Sequence, residues 1–164
     1  MVKKIAGILI GVTMLAVFVM ALISIVQIMG VTGEDAFKAM PDAAKSGISS
    51  SLYLFIGLAV SSLGIAIACI LILLDKVQFT PYVLLGSGIL SAIFIIVCFV
   101  VAKDYMTSLS DTVKAAEALG KTSIQYKMAS MQYLTSMFQN LIFFATFACV
   151  PTFYGLKGLL LRKK

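Results

Sequence analysis

Four long apolar runs alternate with polar connections along the chain: Ile5 to Met29, Ser50 to Leu74, Pro81 to Ala102 and Ser136 to Leu161. Each reaches the ~20 residues that cross a ~30 Å hydrocarbon core, so each is expected to be a transmembrane helix. The polar stretch between the last two runs keeps a helical period. Tyr105, Leu109, Val113, Ala116 and Leu119 recur at steps of three or four, and Ile124, Met128, Met131, Thr135 and Phe138 make a second stripe. Gly120 is placed like a C′ glycine closing the first arm, and Thr122 with Gln125 has the capping-box spacing that opens the second.

The predicted architecture is an all-α integral membrane protein. It has four transmembrane helices in a single domain spanning 1–164, with helices 3 and 4 extended outward as an antiparallel helical hairpin. Residues 103–135 form the extracytoplasmic projection. At ~1.5 Å per residue, the arm from Lys103 to Leu119 reaches about 25 Å. Its charges, Lys103, Asp104, Asp111, Lys114, Glu117 and Lys121, fall opposite the apolar stripe. Asp111 with Lys114, and Lys114 with Glu117, are helix-spaced pairs. Ser108 and Ser110 leave two versions open: one continuous helix, favoured by the unbroken phase of the stripe, or a bent projection with a new cap. In the second arm, the stripe from Ile124 is expected to pack on the first arm. That leaves Tyr126 and Tyr133, continued by Met137, as the expected assembly face.

The connections carry their own signals. Thr32 is expected to cap a short helix through Phe37 to Met40, with Glu34 and Asp35 in its first turn and Pro41 ending it. The link Asp75 to Thr80 is short enough to make the second and third spans antiparallel neighbours. Thr80 followed by Pro81 reads as an N-cap and a tolerated first-turn proline.

Small residues mark where helices approach closely in lipid. Gly7 and Gly11 form a GxxxG pair; the second span carries Gly57, Ser61, Ser62 and Gly64, and the third Gly86, Ser87, Gly88, Ser91 and Ala92. Gly7, Gly11, Gly57, Ser61, Gly64, Gly88 and Ala92 are the expected packing positions. In the fourth span, Pro151 removes a backbone hydrogen bond and is expected to kink the helix near Phe147 or Ala148, with Thr146 or a neighbouring helix serving the freed carbonyl.

Composition agrees with this pattern. The 164 residues are 61% hydrophobic and 12% charged, and mean hydropathy is +1.07, which excludes an ordinary soluble domain. The net charge of +6 does not call for nucleic acid, because the cations sit where topology needs them. Lys3 and Lys4 precede the first span, and Lys157, Arg162, Lys163 and Lys164 close the last. Four spans and the positive-inside rule put both termini in the cytoplasm. There each cation gains about 1 kcal/mol from anionic lipid headgroups. The first apolar run exceeds the h-region of about 7 to 15 residues of a cleaved signal, so it reads as an uncleaved anchor.

Reactive chemistry is sparse. With no histidine, imidazole catalysis and ligation are excluded. Cys69, Cys98 and Cys149 fall at different depths and read as buried, inert thiols, so no metal or cofactor is expected. Gly120, Lys121 and Thr122 match the end of a phosphate loop, but Ala115 occupies the place of its first glycine. No ionisable residue lies well inside the first three spans, and Lys157 is close enough to an end to snorkel. This argues against proton relays, ion-coupled transport and intramembrane catalysis.

A short first outer loop, a very short inner loop and a larger outer segment prolonging helices 3 and 4 resemble the layout of the tetraspanins over the whole chain. The outer segment departs from that family in having no cysteine, hence no Cys-Cys-Gly. What the resemblance implies is confined to architecture. The expected function is non-enzymatic assembly, as a self-associating scaffold or an accessory subunit of a larger membrane complex. The alternative is a homo-oligomeric channel or small-solute pore lined by Ser61, Ser62, Ser87 and Ser91.

Overall fold

The computed structural model describes residues 2–118 and 120–161, with side chains from Ile5 onward. The side chains of Lys3 and Lys4, together with Leu119, Arg162, Lys163 and Lys164, lie outside the described residues. About 90% of the structure is helical, with no strand among the described residues. Four stretches are long and apolar enough to cross a membrane: Ile5–Thr32, Asp42–Leu73, Val77–Val101 and Ile124–Leu160.

Helix α1, Val2–Thr32, contains no proline to stop it. It outlasts the expected end at Met29, and the Thr32 hydroxyl donates back to the Met29 carbonyl at 3.0 Å. Thr32 therefore finishes α1 and does not cap the short helix α2, Asp35–Lys38. Pro41, at φ −57°, is the N-cap of α3, Asp42–Leu73. This helix starts well before the expected Ser50, because Asp42 suits the positive first turn and its carboxylate meets Lys45 at 3.5 Å. It closes on a Schellman turn. The amide of Lys76 donates to Leu71 and that of Asp75 to Ile72, with Asp75 at φ 56° in the place usually given to glycine.

A 3₁₀ turn, Val77–Phe79, leads into α4, Thr80–Val101. Thr80 lies inside this helix, with Phe79 at the cap, so the expected Thr80 cap does not form. Helix α5, Lys103–Glu117, runs unbroken through Ser108 and Ser110. Gly120 turns the chain at φ +99°, its amide donating to Glu117. The cap of α6, Ile124–Phe143, is Ser123, whose hydroxyl accepts from the Tyr126 amide at 3.2 Å. The cap thus falls one residue after the expected Thr122, and with Tyr126 at N3 no reciprocal capping box forms. A π-helical segment, Phe144–Cys149, joins α6 to α7, Val150–Leu160.

Packing centres on α3, which lies between α1 and α4, while α4 also holds α7 and the π segment. Leu54, Ile95, Cys98 and Ala148 form one buried cluster; Ala21, Leu58 and Ala59, beside Phe143 and Phe147, form another. Helix α5 lies against α6 and against the start of α3.

Candidate functional site

The interhelical seams are built on small residues. A Cβ added at Gly11 would meet Cys69, and one at Gly57 would meet Ile95 and the Ser91 carbonyl. Gly64 admits Ser87, and Gly88 admits Thr152 and the Ala148 carbonyl. Ala92 packs on the Leu54–Ile95 cluster. Gly7 differs: a Cβ there would find nothing within 4 Å, so only the second glycine of the GxxxG pair makes a close approach. Three close positions carry no mark in the sequence reading. Gly155 lies on Leu85, Gly158 on Pro81, and Gly47 on the ring of Tyr105. The three-residue spacing of Gly155 and Gly158 is the signal that identifies a helix face.

The four serines expected to line a pore lie in or beside the α3–α4 seam. Ser61, Ser62 and Ser91 are fully buried. Ser91 donates across the seam to the Gly57 carbonyl at 2.8 Å, and Ser62 donates to Ala59 in its own helix. The Ser61 hydroxyl is enclosed without a partner. Ser87 is part-buried, donates to Leu84 and fills the notch at Gly64.

Pro151 is fully buried immediately after the π segment. Thr152 donates its hydroxyl to Ala148, four residues before it, at 2.7 Å, and not to Phe147, the acceptor four residues before Pro151; the expected Thr146 is exposed. Cys69 and Cys98 are buried, whereas Cys149 is exposed. The expectation of three buried thiols therefore fails at Cys149, which sits on the outward side of the π segment. No group of three metal-ligating His, Cys, Asp or Glu side chains occurs among the described residues.

Where α3, α4, α5 and α6 meet, a polar recess of about 170 Å³ is lined by Gly47, Ser50, Ser51, Tyr105, Ser136 and Asn140, among others. Ser46 stands beside it. Its hydroxyl donates to the Val101 carbonyl at 2.5 Å and accepts from the Tyr105 amide at 3.4 Å. Those two backbone groups would bond to each other in a continuous helix. The α4–α5 break at Ala102 is thus held open by a side chain from α3. The recess has no charged lining residue, and its hydroxyls and amides suit water or another neutral polar group.

The two faces of α6 are exchanged relative to the sequence expectation. Tyr126 and Tyr133 are half-buried, Tyr133 in a groove with Met106 and Ser110 of α5. Ala129 and Ser136 border the Tyr105 and Thr112 side of the same helix. Small residues let α6 approach the inward face of α5, where Ala116 is buried, and this outweighs the greater apolarity of the Ile124 stripe. Ile124, Met128 and Met131 are consequently 70%, 69% and 71% exposed, with Phe138 also exposed. Of the expected assembly face, only Met137 is exposed. At the turn, Glu117 pairs with Lys121 at 2.9 Å, and Lys114 with Asp111 at 3.1 Å. The Glu117 carboxylate, by hydrogen bond and by charge, raises the Lys121 pKa above its ordinary 10.5.

Comparison of the chain with family models, curated proteins and solved structures returns no match.

Proposed function

We propose that the chain is a non-enzymatic, four-helix integral membrane protein that acts in assembly, as a self-associating scaffold or an accessory subunit of a larger complex. The observation that carries this reading is the exposed apolar stripe of α6. The apolar stretch Ile124–Leu160 comprises 37 residues, or about 55 Å at ~1.5 Å per residue. A hydrocarbon core of ~30 Å accommodates little more than half of it. With Lys157 at the inner interface and both termini cytoplasmic, Ile124, Met128 and Met131 stand beyond the bilayer, where α5 and the outer part of α6 form an antiparallel hairpin. A contiguous apolar face in water marks a partner site.

Photoreactive residues placed at Met128 and Met131 in the source membrane provide the test. They are expected to give discrete crosslinked products, whereas exposed Ala115 on α5 gives none. Loss of all protein products from the stripe overturns the reading. The pore reading draws no support from Ser62 and Ser91, whose buried hydroxyls donate to the Ala59 and Gly57 carbonyls.

A further inference from the structure

The exposed stripe of α6 has a more specific pattern than apolarity. Ile124, Met128, Met131, Thr135, Phe138 and Ile142 follow one another at steps of four, three, four, three and four, and every one of them is exposed. This is the 3.5-residue period of a coiled-coil seam, with Ile124, Met131 and Phe138 at d positions and Met128, Thr135 and Ile142 at a positions. Ala129, Tyr133 and Ser136 lie on the side of α6 nearer α5, and Met128, Met131 and Thr135 form the outer rim of the groove that Ala129 and Ser136 share with Tyr105 and Thr112. The chain itself therefore leaves the seam largely uncovered.

We infer that the occupant of this seam is another copy of this chain, paired through a parallel α6–α6′ coiled coil. This identification rests on the assembly reading above and names its partner. Three observations select a like copy. Two copies inserted with the same topology cross the bilayer in the same direction, and parallel pairing sets a against a′ and d against d′. Thr135, the one polar residue of the seam, then faces Thr135 of the partner subunit, so its hydroxyl meets a hydroxyl; an apolar partner helix would leave it unmatched. The flanking e positions are Gln125, Gln132 and Gln139, and the only charged g position is Lys127. Self-pairing therefore brings Lys127 beside a glutamine amide and opposes no like charges. Open grooves of about 770 and 670 Å³ run along the two flanks of the ridge, one bordered by Leu134 and Phe138 and the other by Gln125 and Gln132.

The test is a cysteine scan of the full chain, carrying Cys149→Ser and keeping the buried Cys69 and Cys98, reconstituted at low protein-to-lipid ratio and treated with a mild oxidant. Substitution to cysteine at Met128, Met131 and Phe138 is expected to give several-fold more disulfide-linked dimer than at Ala129, Tyr133 or Met137. Adding Met131→Lys to Met128→Cys is expected to reduce the dimer to the Ala129→Cys level. Because Met131 is exposed, unchanged helix content by circular dichroism will separate lost pairing from lost folding. Dimers that peak away from the seam overturn the coiled coil and leave self-association by another surface. Monomers throughout, with photoreactive residues at Met128 capturing a different polypeptide in the source membrane, overturn the like partner but uphold assembly. Neither product overturns both.

Discussion

Ser46 and Tyr105 lie 59 positions apart in sequence, yet the Tyr105 amide donates to the Ser46 hydroxyl, which in turn donates to Val101. One side chain of α3 is thereby inserted into the backbone ladder at the junction of α4 and α5. Ser46→Ala removes both contacts. The expected loss is about 1 kcal/mol, that of a part-buried hydrogen bond, read as a lower unfolding temperature in lipid or detergent. Hydrogen exchange at Tyr105 is expected to change with it. An unchanged Tyr105 amide would mean that the junction is held by other contacts.

Gly64 and Ser87 form the tightest fit in the α3–α4 seam, since a Cβ at Gly64 would overlap Ser87. Gly64→Ala is expected to cost about 1 to 3 kcal/mol through overpacking. Ser87→Gly should restore part of that loss, despite its own helix-propensity cost of up to about 1 kcal/mol. A double-mutant cycle of unfolding free energies measures the coupling, and additive values would contradict the fit.

Two buried serines of the same seam should respond differently to loss of the hydroxyl. Ser91→Ala deletes the bond to Gly57 and is expected to destabilise by about 0.6 kcal/mol, the average for interhelical bonds in lipid. Ser61→Ala removes a buried hydroxyl that has no partner, so stability is expected to hold or rise. Equal losses at the two positions would show that Ser61 is bonded in the membrane.

The Lys121–Glu117 pair supplies the pH dependence of the turn between α5 and α6. A lysine whose pKa is raised in the folded chain contributes stability that is fully present below its ordinary value of 10.5 and is lost as pH rises through the raised value. Amide exchange around Gly120, corrected for its intrinsic pH dependence, should show constant protection up to that range and a loss above it. Glu117→Gln is expected to return the Lys121 titration, followed by NMR, toward 10.5.

Much of the fold is legible in the sequence because lipid-scale apolar runs and helical stripes are long, redundant signals. The four helices able to cross a membrane, and the helicity of both arms, rest on such runs. Single-residue choices were less legible. Ser123, not Thr122, caps α6, because either hydroxyl satisfies the local pattern and the turn geometry at Gly120 selects between them. The end of α3 follows from the apolar run that stops at Leu74, but its Schellman turn carries no mark, because Asp75 takes a backbone conformation that usually advertises itself as glycine. The α6 faces were misassigned because apolarity alone does not weigh close approach. Ala129 and Ser136 are half-buried beside Tyr105 and Thr112 of α5, while Met128 and Met131 stay exposed at the rim of the same groove. The clasp at Ser46 is a contact between distant segments, and nothing in the local sequence announces it.

The π segment between Phe144 and Cys149 sets the angular relation between two halves of the last long helix. A π insertion holds one residue more than the α-helix it interrupts, and one residue corresponds to about 100° of rotation. The half that fits α4 through Gly155 and the half that presents Met128 and Met131 are therefore geared separately. Among diverging sequences, loss of one residue in this segment would re-aim the whole outer face without altering any side chain on it. Such a one-residue indel would turn that face further than any substitution on it could.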